Sequence, residues 1–152
     1  MIRRGGQPDV PFLRALLRHA YHWRVNLGEA DIPASRYVDR WGRMGDTVVV
    51  AVDDENHRLG AAWFRLYPPG SPGYGFVDQQ TPELTIAVVP AKRGKGVGGE
   101  LLEALLERAR AAGHAQISLS VQAESPQEAF YGRHGFERVD EDGGAVTMLK
   151  RL

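Results

Sequence analysis

The residues that come closest to chemistry in this chain lie in Glu83–Gly99, E-L-T-I-A-V-V-P-A-K-R-G-K-G-V-G-G. An apolar strand pattern runs there into Arg93-Gly94-Lys95-Gly96-Val97-Gly98-Gly99, whose last glycines open a helix. Glycine lets the backbone approach a ligand closely and turn several N–H groups inward. A helix N-terminus adds unpaired donors and the positive end of its dipole. Lys92, Arg93 and Lys95 supply local positive charge. Together these features describe a cradle for a pyrophosphate. Two other phosphate loops fit less well. Gly94, Gly96 and Gly99 satisfy G-x-G-x-x-G, but Pro90-Ala91-Lys92-Arg93 separate the strand from the glycines. The chain that follows is also too short for a doubly wound sheet, and no acidic residue stands about 20 positions on, where a dinucleotide site wants one. A Walker loop fails because Gly96, rather than Ser or Thr, follows Lys95.

A second cluster lies downstream, Ser125-Pro126 followed by Ala129-Phe130-Tyr131-Gly132-Arg133-His134-Gly135-Phe136. Taken with Ala87-Val88-x-Pro90-x-x-Arg93-Gly94-Lys95-Gly96-Val97-Gly98 and Leu101-Leu102, the chain resembles the GNAT acetyltransferase superfamily. The first run matches its acetyl-CoA motif, R-x-x-G-x-G, and the second its N-P-x-x-x-x-Y-x-x-x-G-F signature. The resemblance implies acetyl-CoA as co-substrate and no metal. It implies that backbone groups of Ile86, Ala87 and Val88 pair with the pantetheine arm, with the Val88 N–H polarising the thioester carbonyl. Backbone donors from Arg93, Gly94, Lys95, Gly96, Val97, Gly98 and Gly99 would hold the pyrophosphate, and Tyr131 would be the general acid at the sulfur. Many members carry Asn where this chain has Ser125, whose hydroxyl can still make one contact to the cofactor arm.

This reaction needs a neutral amine, a donor for the tetrahedral oxyanion and an acid for the departing thiolate. It needs no enzyme nucleophile, in keeping with the absence of cysteine and of any G-x-S-x-G elbow. Glu83, at the head of the apolar strand, is the candidate base, against the alternative of a solvated strand-end carboxylate. The expected activity is direct transfer to a small-molecule primary amine in a ternary complex. A protein N-terminus or lysine is an alternative acceptor, and a non-catalytic acyl-CoA sensor an alternative function.

The elements that must position these groups follow from pattern. Asp9 caps an apolar-periodic helix running to about Tyr21–Trp23, on which His19 and His22 read as a solvated face. Ser35–Trp41 reads as a second helix. Thr47–Val52 and Leu59–Tyr67 form a hairpin, and Pro68–Gly75 is a Pro/Gly loop expected over the acceptor side, where Tyr74, Phe76 and the tryptophans 23, 41 and 63 could line a pocket or simply pack. Strand Glu83–Val89, helix Gly98–Ala112, strand Ala115–Val121, helix Pro126–Arg133 and a hairpin Phe136–Val139 with Ala145–Leu149 complete the chain. The expectation is one mixed α/β (α+β) domain over residues 1–152, with six to seven strands and about four helices. Lys plus Arg equals Asp plus Glu at 19 each, leaving no global field for a polyanion, so nucleic acid is not an expected partner. No apolar run reaches the ~20 residues of a membrane span. A cytoplasmic protein is expected, with a homodimer among the forms the resemblance allows.

Overall fold

The computed structural model describes residues 1–21 and 34–152; His22 and Trp23 lie outside the described residues. Among the described residues, seven strands form one sheet: β1 (Ile2–Arg4), β2 (Thr47–Val52), β3 (Arg58–Arg65), β4 (Glu83–Val88), β5 (Gln116–Gln122), β6 (Glu137–Asp142) and β7 (Ala145–Arg151). Their spatial order is β1-β2-β3-β4-β5-β7-β6. Every neighbouring pair is antiparallel except β4 and β5, which run parallel. Among the described residues, three α-helices flank the sheet: α1 (Val10–Tyr21), α2 (Val97–Ala111) and α3 (Pro126–Arg133).

The continuous apolar run of β2, T-V-V-V-A-V, reflects burial on both faces. Val48, Val50 and Val52 join Ala61, Trp63 and Ala87 against Leu13, Leu16 and Leu17 of α1. Val49 and Ala51 join Ala62, Phe64 and Leu84 against Leu101, Leu102, Leu105 and Leu106 of α2. Each of these leucines is at most 5% exposed, a burial worth roughly 1.5–3 kcal/mol per side chain. The helix α3 starts where Ser125 accepts a hydrogen bond from the Glu128 N–H at 3.1 Å, with Pro126 in its first turn.

The expected second helix is a 3₁₀ turn, Ala34–Tyr37, followed by irregular chain. Buried Arg65 anchors this irregular course. Its guanidinium grips Asp46 through Nε–Oδ1 at 2.9 Å and Nη2–Oδ2 at 3.0 Å. It also donates to the carbonyls of Arg36 and Arg40, one at the turn and one just beyond it. Arg40 then takes φ +54° and Gly42 φ +110°, so no helix continues.

Candidate active site

The strands β4 and β5 pair at one position, Glu83 opposite Ser118, and then splay apart. Beneath the divergence the Ser118 N–H donates to the Pro82 carbonyl at 3.0 Å. The gap becomes a cavity of about 590 Å³, walled by Thr85–Val88 on one side and Leu119–Gln122 on the other. The start of α2 closes one end, and Phe130 and Tyr131 of α3 bound it further.

Strand alternation determines which backbone groups face this gap. The Val89 N–H donates to the Leu59 carbonyl on the β3 side at 2.9 Å. Successive residues of a strand present their N–H and C=O to opposite neighbours, so Ile86 and Val88 present theirs to the gap. The Val88 carbonyl is met by Arg93 Nε at 3.2 Å, which leaves its N–H facing the opening. Ala87, by the same alternation, spends its backbone groups on Ala61 of β3, so it lines the cavity without offering a backbone pair. That differs from the expectation that all three residues present backbone partners.

Gly96 is the residue before α2 and has φ +82°; Gly94 has φ +79°. A side chain at either position would be strained in this left-handed region. No side chain caps α2, so its first amides remain for a ligand. Lys92, Arg93, Gly94, Gly96, Val97, Gly98 and Gly99 all border the cavity. Lys95 is exposed and does not.

Tyr131 lines the cavity while only 8% exposed, between Phe130 and Phe136 in edge-on contacts with ring centroids 5.1 and 5.5 Å away. Its hydroxyl has no hydrogen-bond partner among the described residues. Burial pushes the phenol well above its ordinary pKa, which keeps the proton on the oxygen. Ser125 is placed otherwise. Its hydroxyl donates to the Gln122 carbonyl at 2.6 Å and accepts from Glu128, and it is not among the residues bordering the cavity. Both hydrogen-bonding roles of its hydroxyl therefore serve the cap of α3.

Glu83 is 1% exposed at the vertex of the splay and takes a hydrogen bond from the Tyr37 hydroxyl, so it is no solvated strand-end carboxylate. Trp63 is fully buried core, its Nε1 donating to the Tyr37 carbonyl at 3.1 Å, whereas Tyr74 stacks on Tyr37 at 6.0 Å. The motif reading missed the β5 wall from Leu119 to Gln122 and His19 of α1, which also borders the cavity. No pattern in β5 marks it as a wall, since I-S-L-S-V alternates like any strand.

A family model described as the acetyltransferase (GNAT) family matches residues 11–136. The chain belongs to this family. As a GNAT protein it is an acyl-CoA-dependent N-acyltransferase. Among its GNAT relatives is an L-methionine sulfoximine/L-methionine sulfone acetyltransferase of Pseudomonas paraeruginosa, 32% identical over 141 residues, spanning 90% of this chain and 79% of the relative. Among solved structures, a ribosomal-protein-alanine N-acetyltransferase from Brucella melitensis superposes with a TM-score of 0.69 at 22% identity, covering 100% of this chain and 99% of the other. A phosphinothricin acetyltransferase from Sinorhizobium meliloti, solved with acetyl-CoA, gives 0.69 at 19% identity, covering 100% and 88%. These two establish the shared GNAT fold. Among the described residues, no helix is long and apolar enough to cross a membrane.

Proposed function

We propose that the chain, acting as one domain, transfers the acetyl group of acetyl-CoA directly to the primary amine of a small molecule in a ternary complex. The observation that carries this reading is the gap between β4 and β5, which runs from uncapped helix amides and flanking cations at one end to a buried, protonated tyrosine. A pantetheine arm would complete the interrupted sheet along Ile86 and Val88. The Val88 N–H would then meet the thioester oxygen as charge develops on it. The α2 amides, with Lys92 and Arg93, would take the pyrophosphate.

Tyr131 is the proton donor to the departing thiolate. Because burial holds the phenol neutral, it gives up its proton only once charge has developed on the sulfur. Glu83 takes the proton from the attacking amine through a water. The proton count balances: the amine loses one, the thiolate gains one, and solvent exchange restores both residues. The acceptor class draws support from the Pseudomonas relative, whose name specifies a small amino-acid derivative. The test is thiol release from acetyl-CoA against L-methionine sulfoximine, L-methionine sulfone, a lysine peptide and an N-terminal alanine peptide. Turnover on a free amine with none on peptides is the expected result. Peptide-only turnover would transfer the activity to proteins, and acetyl-CoA binding without turnover on any amine would make the chain a sensor.

A further inference from the structure

The Tyr37 hydroxyl donates to Glu83 Oε2 and accepts the Tyr74 backbone N–H at 2.7 Å. An amide N–H can only donate, so the tyrosine's own proton is directed at the carboxylate. The Tyr37 ring is held edge-on by Tyr67 at 5.6 Å and stacked by Tyr74 at 6.0 Å. Its carbonyl is held by Trp63, and the turn that carries it by Arg65. The Pro/Gly loop closes over this pair. A Cβ at Gly73 would lie 2.3 Å from Glu83 Oε1 and 3.0 Å from the Tyr37 hydroxyl, so only glycine lets the loop lie there.

Several other groups packed near Glu83 are engaged elsewhere. Arg65 of β3 stands opposite it in register, but its guanidinium is committed to Asp46. Ser118 of β5 donates its hydroxyl to the Gly75 carbonyl at 2.8 Å. The α1 helix adds apolar Leu13, Leu16 and Leu17 to the cluster that holds Tyr37. Tyr37 directs its proton at the acid.

We infer that Tyr37, oriented by the Tyr74 amide, is a positioning residue for acetyl transfer: it fixes one orientation of the Glu83 carboxylate and favours its charged form for proton removal. The inference rests on the reading of Glu83 as the base. A hydrogen bond donated to a carboxylate favours the charged form, so it extends the base's working range to lower pH. Tyr37→Phe keeps the ring and deletes only the donor.

The experiment is the pH profile of kcat/KM for thiol release from acetyl-CoA, with L-methionine sulfoximine or the fastest amine of the panel above. Parent, Tyr37→Phe, Glu83→Gln and Gly73→Ala are compared, with circular dichroism and acetyl-CoA KM measured on each. For Tyr37→Phe the acid limb should move to higher pH by about one to two units, the range expected for losing one charge-assisted hydrogen bond. The acetyl-CoA KM should stay at the parent's value. Glu83→Gln should abolish the limb and lower kcat by about a hundredfold. Gly73→Ala, which pushes a methyl between the two side chains, should move the limb in the same direction, and it serves alone if Tyr37→Phe does not fold. A limb that persists in Glu83→Gln overturns the base reading, and the inference with it. A limb abolished in Glu83→Gln but unmoved in a folded Tyr37→Phe overturns the role of Tyr37 alone.

Discussion

Replacing Gly96 with valine tests the cradle at its most exposed point. The residue sits at φ +82°, ψ 1°, immediately before α2. A Cβ there meets nothing within 4 Å, so the space beside the residue is open and the main effects come from backbone and ligand. Holding an L-residue in the left-handed region costs about 1–2 kcal/mol, and β-branching places valine at the upper end. If the backbone keeps its course, that strain lowers Tm by roughly 2–8 °C for a chain of this size. If it relaxes instead, the amides of Val97 and Gly98 rotate away from the cavity. In both cases a branched side chain stands where the phosphates would lie. Affinity for acetyl-CoA should fall at least tenfold, about 1.4 kcal/mol. Calorimetric titration with acetyl-CoA and circular dichroism on the same sample read both effects. A folded variant with the parent's Kd would refute the cradle and the direction in which the ligand is read to lie.

Three further outcomes are expected. Tyr131→Phe should lower kcat by about 10²–10³ with the acetyl-CoA KM nearly unchanged; equal kcat values, where chemistry limits the rate, would reduce Tyr131 to packing. Acetyl-CoA at a hundredfold over its Kd should stabilise the protein by about 2.7 kcal/mol in a thermal melt, whereas stabilisation by NAD alone would restore the dinucleotide reading. Asp9, whose burial would push its pKa up, is instead pulled down to about 2 by hydrogen bonds from Arg3, Arg58 and the Gly6 N–H. A lowered folded-state value means stability that is complete above the unfolded value near 3.8 and is lost as pH falls through about 2. The Tm gap between the parent and Asp9→Asn should therefore be full at neutral pH and shrink between about pH 4 and 2; a constant gap would assign it to packing.

The parts of the fold legible in the sequence were those written in local pattern. The bounds of Thr47–Val52 and Pro126–Arg133 agree between pattern and structure, because a β-branched run and a Ser-Pro cap are local signals. The turn at Ala34–Tyr37 was not legible, because the segment is anchored by Arg65, a residue on a strand far along the chain. The glycine loop and Tyr131 were found as motifs, and both border the cavity. Ser125 shows the limit of reading by position. The motif gives it a place beside the cofactor arm, yet its hydroxyl is bound to Gln122 and Glu128. The contact of Glu83 with Tyr37 was hidden for a similar reason, since nothing local links Tyr37 to a carboxylate 46 positions away.

The splay between β4 and β5 separates two kinds of cohesion that usually coincide. Backbone hydrogen bonding is interrupted between residues 2–88 on one side and 116–151 on the other, apart from the joint at Glu83 and Ser118. The apolar core is not interrupted: Leu101, Leu102, Leu105 and Leu106 of α2 belong to one cluster with Leu84 of β4 and with Leu119, Tyr131 and Met148 beyond the gap. The α2 helix is thus a wedge laid beneath an open seam, and the seam's width is set by side-chain volume rather than by any ladder. Dispersion and burial are non-directional and tolerate small displacements that a hydrogen-bonded ladder does not. A motion that widened or narrowed the seam about the Glu83 joint would break no main-chain hydrogen bond outside that joint. The stiffness of that motion is written in the leucines of α2, none of which the chemistry itself requires.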